Sequence, residues 1–137
     1  MTARVLVLAP TRRARTETFV RANLARLPFA VEACFGDEVP WREPLKALYG
    51  LAVLTSKVCT RLGWLRLATC PASLVAMLLV RCHRPDVVMV EFGFHAVRVM
   101  ELARTGVPLA VHFRGADASA DRYVKRLEQR YRRLLQL

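Results

Sequence analysis

Two short apolar runs constrain the fold of this chain more than any other feature. They are residues 86–92 (DVVMVEF) and residues 108–113 (PLAVHF). Each run contains valine and is too short for a stable helix, so each is predicted to be a strand that is buried on both faces. Residues 94–104 between them carry apolar side chains at roughly helical spacing. The three segments predict a strand–helix–strand unit, in which the two strands must be parallel.

Charged, aromatic and glycine residues follow both predicted strands. Ligands of parallel sheets bind beyond the carboxyl ends of the strands, so these residues are the first candidates for a functional site. They are Glu91, Phe92, Gly93 and His95 at and just after the end of the first run, and Arg114, Gly115 and Asp117 after the second. No third metal ligand accompanies His95 or His83, so both are interpreted as structural or solvent-facing residues and no metal site is predicted.

The first part of the chain predicts further elements of the same kind. Residues 4–9 (RVLVLA) read as a strand, residues 17–27 as a helix with Thr16 as its N-cap, and residues 29–35 as a second strand. The loop at residues 11–15 contains no glycine, although dinucleotide fingerprints and Walker-type phosphate loops need glycine there. We therefore predict an α/β fold, with a Rossmann-like parallel sheet and flanking helices, and no bound cofactor.

The middle of the chain, residues 45–83, predicts two helices that separate near Gly63. The first has an apolar stripe of Leu48, Leu51, Ala52, Val58 and Leu62. The second, residues 71–82, is almost wholly apolar and is predicted to be a buried helix. The pair either packs into the core or lies as a basic amphipathic hairpin on an anionic membrane. A last helix with a basic face is predicted from about residue 121.

The composition indicates one folded domain over residues 1–137, with 54% apolar residues. Lysine and arginine total 22 against 11 acidic residues, which gives a formal charge of +11. Such a charge attracts nucleic acid, lipid headgroups or phosphorylated substrates. An arginine-rich composition without any such partner is the alternative, so the charge defines a class of partner and not a function.

The cysteines and the lack of long apolar runs in the sequence indicate the cellular compartment. The four cysteines, at positions 34, 59, 70 and 82, form no C-x-x-C pair and have no metal-ligand spacing, so they are predicted to be buried thiols in a reducing compartment. The sequence has no secretion signal and no run of about 18 uncharged apolar residues. These features predict a cytoplasmic location, with peripheral contact at the inner membrane face as an option.

Three motifs occur in order at the ends of predicted elements. They are residues 16–20 (TETFV), residues 84–93 (RPDVVMVEFG) and residues 106–119 (GVPLAVHFRGADAS). Together they resemble the N-terminal half of a family 4 glycosyltransferase of the GT-B fold, of the type that builds bacterial exopolysaccharide. The third motif departs from the family, because Arg114 stands where the family commonly has histidine.

The resemblance implies an activity and its partners. It implies hexosyl transfer from a nucleotide sugar to a glycan or lipid-linked acceptor in polysaccharide biosynthesis. In that family the donor binds mainly to a C-terminal domain with a Glu-x7-Glu motif, which this sequence lacks. The chain is therefore expected to be an acceptor-side fragment, to meet the nucleotide sugar only through the absent domain, and to be inactive by itself.

The resemblance also implies substrate-binding roles for residues after three of the predicted strands. They are Arg12, Arg13, Arg15, Thr16, Glu17, Thr18, Phe92, Gly93, Arg114, Gly115 and Asp117. The arginines would hold a lipid-linked diphosphate, or they are simply exposed loop residues. The threonines and Glu17 would position the same acceptor, or they only start the helix.

Two carboxylates among the candidates have competing interpretations. Glu91 is the candidate catalytic residue, as an acceptor-binding or acid–base group; the alternative is an ion pair with Arg114 on the neighbouring strand. Asp117 would bind a sugar hydroxyl, or it caps the turn before the last helix.

A function of a different class is a non-catalytic basic module that binds an anionic membrane or nucleic acid. Nucleic acid is the weaker form of this alternative, because aromatic residues are sparse in the basic segments and no recognition motif is present. No nucleic-acid partner is therefore predicted.

Overall fold

One four-stranded, all-parallel sheet organises the chain in a computed structural model that describes residues 2–14, 18–38, 43–115 and 121–137, without the side chains of residues 121–123. The strands are β1 (Arg4–Ala9), β2 (Ala30–Phe35), β3 (Val87–Glu91) and β4 (Leu109–His112). Their order in the sheet is β2-β1-β3-β4. Val5 of β1 lies opposite Val31 on one side and Val87 on the other. The predicted Rossmann-like α/β fold is confirmed.

Helices connect and flank these strands. They are α1 (Thr18–Leu24), α2 (Pro44–Arg61), α3 (Cys70–His83), α4 (Gly93–Ala96), a 3₁₀ helix (Met100–Thr105) and α5 (Asp121–Leu134). A proline stands in the first turn of both α2 and α3, where its missing N–H costs no hydrogen bond. The helix pair on either side of Gly63 and the helix from residue 121 are confirmed, while α1 ends earlier than predicted.

The crossover between β3 and β4 is not the single helix predicted for residues 94–104. The chain instead forms α4, a turn and the 3₁₀ helix. Ala96, Val97, Val99 and Met100 are all buried there. His95 and Leu102 are buried as well, and together these positions would cover more than half of the circumference of a straight helix, which is wider than a core-facing stripe. The broken helix directs these side chains to the core from several directions.

Burial on both faces was predicted for the runs that contain β3 and β4, and it is wrong for β4. β3 is half-buried at its first and third residues and buried at the other three. Leu6, Val7 and Leu8 of β1 have no exposed surface, because β1 lies between two other strands. β4 is the edge strand of the described sheet, with Leu109 only half-buried and His112 exposed. A strand at an edge is covered on one side only, which the short apolar run by itself did not indicate.

The α2–α3 pair is less buried than its sequence suggested. Tyr49, Val53 and Leu79 pack into the core. Four of the five residues in the predicted stripe of α2 are exposed, and so are Leu74 and Leu78 of α3. The prediction that the second helix is buried is therefore correct for one face of α3 only. None of the helices in the described residues is both long and apolar enough to cross a membrane.

Two buried polar groups lie within this core. The hydroxyl of Tyr49 and Nε2 of His95 are 2.8 Å apart, and both side chains are fully buried. Burial lowers the pKa of His95 and raises the pKa of Tyr49, so both groups are neutral at neutral pH. A neutral hydroxyl–imidazole hydrogen bond joins the two groups without burying a charge, and Nδ1 of His95 has no hydrogen-bond partner among the described residues. The structural interpretation of His95 is consistent with this arrangement.

The cysteines do not share one environment. Cys34 is buried in β2, and burial raises the pKa of its thiol to about 12, so it is an unreactive core residue. Cys70 and Cys82 are exposed, and Cys59 is half-buried. The prediction of four buried thiols is therefore correct for Cys34 only.

Candidate functional site

Residues from three separate parts of the chain meet at the carboxyl edge of the sheet. Phe19 of α1 follows β1, Phe92 follows β3 and Arg114 follows β4. The rings of Phe19 and Phe92 meet edge to face with centroids 6.3 Å apart, and the guanidinium carbon of Arg114 lies 4.6 Å from the centroid of Phe19. The expected clustering of candidate residues at this edge is therefore present for Phe92 and Arg114, and Phe19, which was not a predicted site residue, joins them.

Glu91 and Arg114 form a buried ion pair at the centre of this cluster. Nε of Arg114 donates to Oε2 of Glu91 at 2.9 Å, and Nη2 donates to Oε1 at 3.4 Å. The Glu91 side chain is 1% exposed, whereas that of Arg114 is 20% exposed. The pairing arises because residues 91 and 112 lie opposite each other in the β3–β4 register, which brings the end of β4 to Glu91. The alternative interpretation of Glu91, an ion pair with Arg114, is what the structure contains.

His112 completes the cluster from the exposed side. Its Nδ1 lies 2.8 Å from Nη2 of Arg114 and 3.4 Å from Oε2 of Glu91. Arginine only donates hydrogen bonds, so the shorter contact requires Nδ1 of His112 to accept. His112 thus shares the Arg114 guanidinium with Glu91.

A strained turn connects β3 to this cluster. Phe92 has a φ of 71°, which is uncommon for a residue with a bulky side chain. Its backbone N–H donates to the carbonyl oxygen of His112 at 2.9 Å, and its ring stacks on Phe94 with centroids 5.2 Å apart. These contacts fix the unusual backbone. They also set the direction in which the chain leaves Glu91.

Gly93 follows in the same turn and is required by packing. The ring of Phe113 lies directly against its α-carbon, so an added Cβ would be 2.6 Å from Cδ1 of that ring. The Phe113 ring also packs edge to face against the ring of Tyr131 of α5, with centroids 5.4 Å apart. A close approach of a side chain therefore explains this glycine, which was predicted to bind substrate.

The loop after β1 is occupied by carboxylates of the chain itself. The backbone N–H groups of Arg12 and Arg13 donate to the two carboxylate oxygens of Asp37, at 2.6 Å and 3.2 Å. The Arg12 guanidinium pairs with Glu38 at 2.7 Å and lies 4.7 Å from the ring centroid of Phe35. The predicted acceptor-binding role of Arg12 thus falls on a side chain that already has an anionic partner.

The remaining predicted site residues contribute less to this geometry. Arg13 and Thr18 are exposed, on the first loop and at the first residue of α1. Gly115 is exposed and has a φ of 43°, which favours glycine for backbone reasons alone. Arg15, Thr16, Glu17 and Asp117 lie outside the described residues, and the N-cap role predicted for Thr16 lies there too.

Asp37, Glu38 and His112 were not among the predicted site residues. Asp37 and Glu38 follow β2, so the rule that selected residues after the other parallel strands would have selected them as well. His112 stands two positions before Arg114, where the alternation of a strand places both side chains on one face. The position of Asp37 and Glu38 after a strand and the two-residue spacing of His112 and Arg114 could therefore have been recognised from the sequence.

The arrangement at the sheet edge is suited to binding an anion. Glu91 and the ring of Phe19 fix the plane of the Arg114 guanidinium, and a guanidinium held in this way binds phosphate or carboxylate well. Both oxygens of Glu91 are hydrogen-bonded and buried, so Glu91 positions Arg114 and does not itself face solvent.

The chain was compared with protein-family models, with curated proteins and with solved structures. No family model, no curated protein and no solved structure matches it.

Proposed function

We propose that this chain is the acceptor-side domain of a sugar transferase that resembles the family 4 glycosyltransferases of the GT-B fold. The domain would bind a glycan or lipid-linked acceptor, and a second domain would bind the nucleotide sugar. One observation carries the proposal. The Arg114 guanidinium is held by buried Glu91 at the carboxyl edge of a parallel sheet, where ligands of such sheets bind.

The surroundings of Arg114 favour an acceptor that has both a phosphate and an apolar part. The guanidinium would bind a phosphate oxygen of a lipid-linked acceptor. The ring of Phe19 lies against the guanidinium, Phe92 packs on Phe19, and Phe94 packs on Phe92, so the three rings offer apolar surface for the first carbons of the lipid. Exposed His112 lies beside the same guanidinium, within reach of a sugar or phosphate group.

Within this proposal Glu91 is a positioning residue for Arg114. Its carboxylate is 1% exposed and hydrogen-bonded through both oxygens, so it does not reach an acceptor hydroxyl in this arrangement. We expect residues 1–137 to bind acceptors and to give no sugar transfer with a panel of nucleotide sugars. Transfer requires a positioned donor and electrostatic stabilisation of its leaving diphosphate.

Replacing Arg114 by lysine is expected to weaken acceptor binding. Lysine keeps the positive charge that Glu91 requires but lacks the two-pronged donor geometry of the guanidinium. With farnesyl diphosphate as a soluble probe of the lipid diphosphate, we expect the Kd of R114K to rise about tenfold, which corresponds to about 1.4 kcal/mol. Isothermal titration calorimetry measures this, and circular dichroism checks that the variant is folded.

The matched control is Arg104→Lys. Arg104 also pairs with a carboxylate, Glu101 at 3.1 Å, but its side chain is 66% exposed and it lies on the 3₁₀ helix. Its replacement is expected to leave the Kd for farnesyl diphosphate unchanged. Equal Kd values for the unmodified chain and a folded R114K variant would contradict the proposed role of Arg114.

A second candidate function is binding to an anionic membrane surface, and the exposed apolar face of the α2–α3 pair favours it. Large apolar side chains there are 41–65% exposed: Leu48, Leu51, Leu54, Val58, Leu62, Trp64, Leu65, Leu67, Leu74 and Leu78. Exposed Arg61 and Arg66 stand among them in the chain. Apolar residues with flanking basic residues are typical of segments that lie in a membrane interface.

Removing apolar side chains from the connection between α2 and α3 is expected to reduce membrane binding. The double variant W64S/L67S replaces two residues that are each 57% exposed, so the fold should be retained. We expect its bound fraction to fall about tenfold in co-sedimentation with vesicles of phosphatidylcholine and phosphatidylglycerol, because each side chain contributes apolar burial in the interface. Emission of Trp64 should shift to shorter wavelength on binding in the unmodified chain.

The control is L135S/L137S, which removes two exposed apolar residues outside the α2–α3 pair. It is expected to bind vesicles like the unmodified chain. If vesicles of phosphatidylcholine alone bind the chain equally well, the contribution of the basic residues is excluded. A similar loss for both double variants would contradict a specific role of the α2–α3 connection.

A further inference from the structure

A small cleft between α2, α4 and α5 concentrates positive charge. Its volume is about 290 Å³, and it is lined by Lys57, Thr60, Arg61, Phe94, Val97, Arg98, Arg126, Leu127 and Arg130. Five of these nine described lining residues are lysine or arginine, and none of the nine is acidic. The residues come from three different helices and from the turn after α4, so it is the fold, and not one basic stretch of sequence, that brings the charges together.

The two most buried arginines of the cleft are hydrogen-bonded to backbone carbonyl groups. Nη1 of Arg98 donates to the carbonyl oxygen of Phe94 at 3.0 Å, and Nη2 of Arg130 donates to that of Val97 at 3.2 Å. Nε of Arg98 is buried and makes no hydrogen bond to any described residue. Carbonyl groups accept hydrogen bonds but do not neutralise the charge of a guanidinium.

Burial and nearby positive charge lower the pKa values of these arginines. Burial is the main cause that lowers the pKa of Arg98, and the nearby charge of Arg130 lowers it further. Burial also lowers the pKa of Arg130. Both guanidinium groups nevertheless remain charged at neutral pH, because arginine starts from a very high pKa. Two like charges are therefore held close together in a partly buried cleft, which an anion between them would stabilise.

Several other arginines of the described chain have carboxylate partners. Arg104 and Arg133 pair with Glu101, Arg132 pairs with Glu128, and Arg12 pairs with Glu38. Arg98 and Arg130 differ from these ion-paired arginines, because the partners of their guanidinium groups described above are backbone carbonyl groups.

We propose that this cleft is a binding site for a phosphate group, either of a free phosphorylated compound or of a lipid headgroup. Guanidinium groups match phosphate oxygens in two-pronged hydrogen bonds, which fits a site that contains four arginines. The cleft is at the lower limit of pockets for drug-sized ligands, which are about 300–1,000 Å³, so it suits a small anion. Its lining does not include Glu91 or Arg114, and the proposal does not depend on sugar transfer.

The test uses inorganic pyrophosphate as the probe of a free anion. Arg61 and Arg126 are exposed, so R61Q/R126Q should remain folded while it removes two charges from the cleft. The control R26Q/R81Q removes the same charge from two exposed arginines that do not line the cleft. In calorimetry at about 0.15 M salt, we expect about tenfold weaker pyrophosphate binding for R61Q/R126Q and less than a twofold change for the control.

A second arm identifies the source of the phosphate. Both double variants are compared in co-sedimentation with phosphatidylcholine vesicles that contain phosphatidic acid. A loss of vesicle binding specific to R61Q/R126Q supports a lipid headgroup as occupant, and a loss specific to R61Q/R126Q with pyrophosphate alone supports a free phosphorylated compound. Equal effects of the two double variants with both probes, or no pyrophosphate binding by the unmodified chain at millimolar concentration, would overturn the proposal.

Discussion

Replacing Gly93 by alanine is expected to lower the free energy of unfolding by about 3 kcal/mol, the upper end for overpacking in a protein interior. The new Cβ would overlap the Phe113 ring, because it would lie 2.6 Å from Cδ1 and 3.0 Å from Cζ. The ring cannot shift toward Tyr131, since the two rings already pack edge to face with centroids 5.4 Å apart. Urea unfolding followed by circular dichroism measures the loss.

A double-mutant cycle separates this steric explanation from others. Phe113→Leu replaces the aromatic ring by a smaller aliphatic side chain and should destabilise the chain by about 1 kcal/mol through lost packing. In the combined variant G93A/F113L, the smaller side chain should admit the new methyl group. We expect the double variant to be more stable than the sum of the single effects predicts, by more than 1 kcal/mol. Additive effects would show that Gly93 is needed for a reason other than contact with Phe113.

The strands and their order of appearance were predictable because each occupies a short apolar run of its own. β1 has the predicted bounds, and β3 and β4 lie within the predicted runs. Exposure of β4 was not predictable, because an edge strand differs from a central one in its neighbours and not in its composition. The broken crossover after Ala96 was missed for a related reason. Apolar spacing indicated one helical face there, whereas the surrounding core accepts apolar side chains from several directions.

The candidate site was predictable in its location and less so in its contacts. The rule that ligands bind at the carboxyl ends of parallel strands selected Glu91, Phe92 and Arg114, which do lie together. Pairing of the first loop with Asp37 was not predicted, because backbone N–H groups that donate to a carboxylate leave no trace in the residue types of that loop. The exposed apolar face of α2 was also missed. Helical spacing of apolar residues does not tell which of two apolar stripes faces the core.

The ion pair between Glu91 and Arg114 is expected to respond unequally to removal of its two members. Arg114→Met leaves a carboxylate that is 1% exposed without its guanidinium, and breaking a fully buried pair in this way costs about 3–5 kcal/mol. Glu91→Leu leaves a guanidinium that is 20% exposed and can be partly hydrated. Its loss is therefore expected to be smaller, about 2 kcal/mol, in the range of a hydrogen bond to a charged group.

The combined variant E91L/R114M tests whether the pair stabilises the fold or serves the site. Replacing both charges by apolar side chains of similar size removes the unpaired charge, and such exchanges are often neutral in stability. We expect the double variant to unfold within about 1 kcal/mol of the unmodified chain, and so to be more stable than R114M alone. It should at the same time bind farnesyl diphosphate at least about tenfold more weakly, because the guanidinium is gone. A stable double variant that binds the diphosphate as tightly as the unmodified chain would contradict the role of Arg114 as an anion ligand. A double variant as unstable as R114M would show that the pair is needed for folding, because its two charges then stabilise the fold more than their desolvation costs.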